Sequence, residues 1–324
     1  MNHHMKMWLV IAVVLIVVGG AVFVGAMAMV KWDFKQLSTT KYVTNSYEIS
    51  EKFYNISLIA DTADVDFVLT DDGVCKVICY EWEKEKHTVS VAENTLKIQL
   101  VDERKWYEHI GIGYDSPKLT IYLPETQYGN VSVKTTTGDI LMPKDFLLES
   151  LNITATTGDI RNSASATGAV QLSVTTGDIY AESMMAQSLD MKVSTGKIQA
   201  SDIGCEGDVT LQVSTGDVVL KDIVCKKVVS GGSTGDITLE NVIAAETFSL
   251  ERSTGDVRFE RSDAGEINVT TSTGDITGSL LSDKLYIVDN NTGEVILPKG
   301  TVGGKCEITT DTGDVILTIY KVEE

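Results

Sequence analysis

The chain has 324 residues, of which 46 are acidic and 27 basic, for a formal net charge of −19. An apolar share of 43% excludes a disordered chain, and the acid excess excludes a protein that meets nucleic-acid phosphates with a basic surface. Five cysteines are too few, and odd in number, for a disulfide scaffold.

The first element is an uncharged run over residues 7–30, between Lys6 and Lys31. As a helix it would be ~36 Å long, enough to cross a hydrocarbon core of ~30 Å. Trp8 and Trp32 stand at its two ends, where indole rings favour the membrane interface. Residues 1–31 are therefore expected to form a single-pass transmembrane anchor. The rival reading is a cleaved signal peptide, for which Ala26-Met27-Ala28 supplies a small-x-small site. The run exceeds the usual signal core of about 7–15 residues, which favours the uncleaved anchor. Lys6 against Lys31 and Lys35 leaves the positive-inside count undecided. Either reading implies export, and the uncleaved anchor is expected to hold the rest of the chain outside the cytoplasm on a cell membrane. Residues 32–55 read as a polar spacer.

Residues 56–130 hold a degenerate copy of the repeat described below. It runs from Ile56 through Leu58, Thr62 and Asp64 to Val65, with Ala63 where the repeat has glycine. Strand-like runs follow at residues 74–80, 96–101 and 118–123. The 75 residues from Ala63 to Gly138 equal nearly four coils, so irregular coils and a small β cap both remain open. Tyr80, Trp82, Trp106, Tyr107, Tyr114 and Tyr122 cluster here beside charged runs at 81–86 and 102–105. They read as the core of a β cap more readily than as a recognition patch.

Residues 131–324 carry the main signal. Thr-Gly recurs ten times, at Gly138, Gly158, Gly177, Gly196, Gly216, Gly235, Gly255, Gly274, Gly293 and Gly313, with spacings of 19 or 20. Asp follows in eight copies; Lys197 and Glu294 are the exceptions. Two residues after each glycine stands Ile or Val. Apolar residues also recur seven and five before it, as in Val131 and Val133 or Leu151 and Ile153, with polar residues between. This alternation marks strands with one buried face. The glycine suits a turn position with positive φ, as in a type II turn. A lone 19-residue coil buries too little to offset its ordering entropy, so coils must stack. The prediction is an all-β chain: a parallel β-solenoid of about ten regular coils, ~48 Å long at the β spacing. Irregular coils or a cap precede it, and one transmembrane helix precedes those. The charged C-terminus is expected to shield the last open sheet edge.

An N-terminal anchor, an irregular β region and Thr-Gly-Asp-Ile/Val repeats of ~20 residues together resemble the bacterial "putative adhesin" family of β-strand-repeat domains. The resemblance spans residues 45–320 or so. It implies a right-handed solenoid on the outer side of a bacterial membrane. It also implies contact with a cell-wall polymer, a glycan or an envelope protein, with some members near envelope-stress systems as accessories. It supplies no catalytic residues, and no cofactor is expected.

The residues themselves offer little chemistry. Asp139, Asp159, Asp178, Asp217, Asp236, Asp256, Asp275 and Asp314, with Glu294, would stack as a carboxylate ladder. Such a ladder could hold Ca²⁺, but one acid per ~19 residues reads first as a structural turn, since repulsion at that spacing is only about 0.9 kcal/mol in water. The Thr column could present hydroxyls to a regular surface, or simply support stacked strands. Cys205 and Cys225 each fall nine residues after a repeat glycine. They should stand on adjacent coils within disulfide reach, though the alanines of the same column make small buried thiols equally apt. Polysaccharide-acting β-helix enzymes are the catalytic alternative. They need a tuned acid–base pair, yet all four histidines, His3, His4, His87 and His109, precede the repeats. No catalytic residues are therefore assigned.

Overall fold

The computed structural model describes residues 3–33, 41–102, 115–300 and 302–321. The expectations placed on Lys35, Lys105, Trp106, Tyr107, His109, Tyr114 and residues 322–324 lie outside the described residues. The chain opens with α1 (His3–Met29). Within it, Lys6–Met29 is long and apolar enough to cross a membrane. Its most apolar window is 0% buried, whereas Met27 near its C-terminal end is only 1% exposed. All the remaining elements are strands, wound as a β-solenoid in which ten stacked Thr-Gly turns bound about nine turns of chain.

The N-terminal end is closed by seven strands, some of which run against the rest. The strands are β1 (Tyr42–Ile49), β2 (Asn55–Ile59), β3 (Asp64–Thr70), β4 (Cys75–Trp82), β5 (Glu85–Ala92), β6 (Thr95–Asp102) and β7 (Lys118–Pro124). β2 and β3 form the degenerate coil and pair in parallel with the first regular coil, Ile56 opposite Val131 and Val65 opposite Ile140. β6 and β7 pair in parallel beneath them. β5 then runs antiparallel to β6, β4 antiparallel to β7, and β1 antiparallel to β4. The stretch between Ala63 and Gly138 is thus one further parallel layer and an antiparallel lid. Reversing strand direction ends the stack, because the lid offers a mismatched template to any added coil.

The regular coils follow as β8 (Gln127–Thr137), β9 (Ile140–Met142), β10 (Leu147–Thr157), β11 (Ile160–Asn162), β12 (Ser165–Ala166), β13 (Ala169–Thr176), β14 (Ile179–Ala186), β15 (Ser188–Thr195), β16 (Ile198–Cys205) and β17 (Asp208–Thr215). Three long strands, β18 (Val218–Thr234), β19 (Ile237–Thr254) and β20 (Val257–Thr273), each run through a corner from one face to the next, and β21 (Ile276–Leu280) follows. The pairing is in register, so like residues stack: Leu151 on Val170, Val170 on Leu189, Leu189 on Val209. The core is the sum of these columns. It includes inward positions beyond the three read from the sequence, such as Met184, Ile203, Ile223 and Val242 at the return corner.

The last coils depart from chain order. β22 (Lys284–Thr292) and β23 (Val295–Ile296) form the outermost coil, and β24 (Gly304–Thr312) and β25 (Val315–Ile319) insert beneath them. Thus β20 pairs with β24, which pairs with β22; β21 pairs with β25, which pairs with β23. The expected shielding of the last edge by the C-terminus is corrected: the final strand is internal. The open end instead exposes Leu285, Ile287, Val295 and Ile296. Two features make the insertion fit. Gly304 lies so close to the Gly265 carbonyl that a Cβ would sit 1.6 Å from its oxygen. With no side chain at Gly304, the buried Lys284 opposite it reaches past the inserted coil, its Nζ 2.6 Å from both the Ala264 carbonyl and Asp263 Oδ1.

Candidate functional site

Two features stand out from the regular strands: the ridge of Thr-Gly-Asp turns and a buried polar group in the lid. In the ridge, all ten repeat glycines have φ between 124° and 155°. These values lie well beyond the +80° or so of a type II turn, so that expected turn type is not the one adopted. A Cβ on any of the ten would fall 1.9–2.3 Å from a backbone carbonyl oxygen of the neighbouring coil. Glycine is thus required twice, by φ and by the close approach of stacked backbones.

The aspartates form a ladder between coils. The Asp159 N–H donates to Asp139 Oδ1 at 2.8 Å and the Asp178 N–H to Asp159 Oδ1 at 2.9 Å. The same bond links Asp217 to Asp236, Asp236 to Asp256, Asp256 to Asp275 and Asp275 to Asp314 at 2.8–2.9 Å. One oxygen of each carboxylate thereby satisfies a turn donor that sheet pairing leaves over. Asp64 of the degenerate coil already does this for Asp139. Both exceptions to the motif now have a place. Glu294 donates its N–H to Asp314 Oδ1 at 2.8 Å and, on the outermost coil, has no further amide to accept from among the described residues. Lys197 donates its N–H to Asp178 but ends the acceptor chain, and its ammonium lies over the Tyr180 ring at 5.1 Å. The contact with Tyr180 raises the Lys197 pKa.

A second ladder runs along the return corner, which sequence reading missed. Ser183, Asp202, Asp222, Asn241 and Arg261 all adopt positive φ, from 49° to 55°. Their side chains link coil to coil: Ser183 Oγ to Asp202 Oδ2, Asn241 Nδ2 to Asp222 Oδ1 and Arg261 Nε to Asn241 Oδ1, at 2.8–2.9 Å. The Asp and Asn content of this column was the available signal, since both tolerate the left-handed region.

One ridge coil carries a buried charge. Ser230 and Gly232 break the apolar columns and make room for Arg252, 2% exposed. Its guanidinium donates to the carbonyls of Glu251 and Gly235 and to Ser230 Oγ, at 2.9–3.3 Å. Burial lowers its pKa. Cys205 and Cys225 stand in the same inward column and are both thiols in the structure; burial raises the pKa of each, that of Cys225 to about 12.

The lid holds the second feature. Cys79 and Glu81 share the inner face of β4, and His87 faces them from β5, all three buried. His87 Nδ1 and its backbone N–H both lie 2.7 Å from Glu81 Oε2, and Asn45 Nδ2 donates to Glu81 Oε1 at 2.6 Å. Burial, together with the charge of Glu81, raises the Cys79 thiol to about 12. The aromatic cluster expected here is partly seen. Tyr42 stacks on Tyr80 at 5.2 Å and meets Trp82 edge-on at 6.1 Å, lining the lid's outer strands.

A repeated turn ladder on a parallel solenoid, closed by a reversed lid, defines a β-strand-repeat scaffold. The chain belongs to the Toastrack DUF4097 family, whose model matches residues 53–212 and 205–323. Among solved structures it resembles a "putative adhesin" from Parabacteroides distasonis ATCC 8503, with a TM-score of 0.47 and 11% identity over 75% of this chain and 98% of that one. It also resembles a "putative adhesin" from Bacteroides fragilis NCTC 9343, with a TM-score of 0.38 and 16% identity over 86% and 97%. A "putative lipid binding protein" from the same Parabacteroides strain gives a TM-score of 0.41 and 15% identity over 72% and 96%. No curated protein matches the sequence.

Proposed function

We propose that this protein is a membrane-anchored, extracytoplasmic rod that works by display and contact, as an adhesin-like or envelope surface protein, without catalysis. The observation that carries the reading is α1. The most apolar 18-residue window of its Lys6–Met29 stretch is 0% buried and so calls for a lipid environment. The solenoid beyond it is built for regularity. Its ridge carboxylates spend one oxygen each on the next coil, which supports a structural role for the acid column. The partner would be a cell-wall polymer, a glycan or an envelope protein.

The test uses intact bacterial cells that express the full chain with a C-terminal tag. Externally added protease should remove the tag, and the cells should bind at least one member of a panel of glycans and cell-wall polymers, with and without Ca²⁺. A protected tag would refute the outward placement. Failure to bind any member would refute the contact reading.

A further inference from the structure

Among the described residues, one group combines sulfur, nitrogen and oxygen ligands in a dry setting: Cys79, Glu81 and His87. We propose that these three residues form a binding site for one transition-metal dication of the Zn²⁺ class. Cys79 and Glu81 are 0% and 1% exposed, and His87 3%. Their ligand atoms lie within 4.8 Å of one another. Bonds of ~2.0–2.3 Å to a central Zn²⁺ need ligand atoms about 3.3–3.8 Å apart. Side-chain rotation by about 1 Å closes that gap.

His87 Nδ1 and Glu81 Oε2 are 2.7 Å apart, and the ion would take the place of the proton between them; three observations support that exchange. His87 Nε2 is buried and without a hydrogen-bond partner among the described residues, so it can take the proton that Nδ1 gives up. Glu81 is held from both sides, by the Asn45 amide and the His87 backbone N–H, as outer partners hold a metal-binding carboxylate. A small cavity beside the group is lined by Thr62, Glu85, Leu100 and Pro117 together with Glu81 and His87, which leaves room for a fourth ligand, a water or the Glu85 carboxylate. Strand alternation explains the assembly. Residues 79 and 81 point inward from β4, and the tight return at Trp82–Glu85 turns residue 87 inward from β5.

The ligand set selects the metal. A thiolate with an imidazole and one carboxylate suits Zn²⁺, and Co²⁺ as its spectroscopic substitute, whereas Ca²⁺ and Mg²⁺ require oxygen cages. On binding, the Cys79 S–H bond breaks as the S–metal bond forms and its proton passes to solvent, while the His87 Nδ1 proton moves to Nε2 as the N–metal bond forms. The metal would pin the β4–β5 return to the lid's inner face, stiffening the end of the solenoid that follows the spacer.

The full chain in detergent, stripped with a chelator and titrated with Co²⁺, should bind one ion and develop a thiolate-to-cobalt charge-transfer band that Zn²⁺ removes and Ca²⁺ does not. Cys79→Ser should abolish the band, Cys75→Ser should leave it, and Glu81→Gln should weaken Co²⁺ binding at least tenfold. If Cys79→Ser does not fold, the metal content of the wild-type chain after Zn²⁺ loading and dialysis decides. Absence of a band and of retained Zn²⁺ in folded protein, or a band that survives Cys79→Ser, overturns the proposal.

Discussion

Replacing Gly235 with Ala tests the two-fold demand on the ridge glycines. The new Cβ would lie 2.1 Å from the Gly216 carbonyl oxygen, a backbone atom that no rotamer can move. Relief requires the two coils to part locally. That strains the bonds Gly216 N–H to Thr234 carbonyl, 2.9 Å, Val218 N–H to Asp236 carbonyl, 2.8 Å, and Asp236 N–H to Asp217 Oδ1, 2.9 Å. Two or three bonds at about 1 kcal/mol each, with about 1–3 kcal/mol of strain for a side chain at φ 124°, sum to a loss of about 3–6 kcal/mol. Gly293→Ala meets the same geometry, 2.1 Å from the Gly313 oxygen, but on the outermost coil, which can tilt away without displacing another. Its cost should be roughly half as large. Gly231→Ala is the control: its Cβ would touch nothing within 4 Å. The assay is urea unfolding of the chain in detergent, followed by the circular dichroism of the strands. Equal losses at Gly235 and Gly293 would show that backbone strain alone sets the requirement. A loss below about 1 kcal/mol at Gly235 would refute the close-approach argument altogether.

Asp236→Asn keeps a side-chain oxygen for the Asp256 N–H and removes repulsion from two neighbours, so it should stay within about 0.5 kcal/mol of wild type, while Asp236→Ala orphans that donor and should cost about 1–2 kcal/mol in the same assay. Burial holds the Cys75, Cys79, Cys225 and Cys306 thiols up at about 12, against an ordinary value of 9.0. The folded chain therefore keeps protons that the unfolded chain loses, and stability should be full below about pH 9 and fall towards about pH 12, read as a decreasing urea midpoint. Deleting residues 304–324 should unsettle more than the last repeat, since β22 pairs only with β24, and β23 only with β25; amide exchange over residues 284–296 should rise to that of a free loop.

The solenoid was legible because its physics repeats. Each column, such as Ile140, Ile160 and Ile179, samples one inward site many times, so periodicity substitutes for tertiary information. The purpose of the aspartates was only half legible. Their spacing announced a ladder, but the acceptor role of Oδ1 depends on the stagger between coils, which no single repeat encodes. The order of the last coils was hidden for the opposite reason. The copies at Gly293 and Gly313 carry the same motif, so pairing rules admit either stacking order. Only Gly304 and the buried Lys284, both outside the motif, distinguish them.

The informative residues of this chain are accordingly those that break its own rule. Ser230 and Gly232 depart from apolar columns and turn out to be the cradle of Arg252. Lys284 and Gly304 fix an exchange of coils at the open end. Cys79, Glu81 and His87 put a buried polar group where the lid could have placed aliphatic side chains. A repeat array distributes stability almost evenly along its length. Function that needs one location must therefore be written in departures from the repeat, and in this molecule they gather at its two ends and in the interior coils of Lys197 and Arg252. The lid follows the apolar helix in the chain, whereas the far end presents Leu285, Ile287, Val295 and Ile296 on an unpaired edge. An unpaired edge with apolar side chains favours added contacts, and a reversed lid opposes them. The rod is thus polar in the structural sense: it is closed at the end that follows the apolar helix and open at the other.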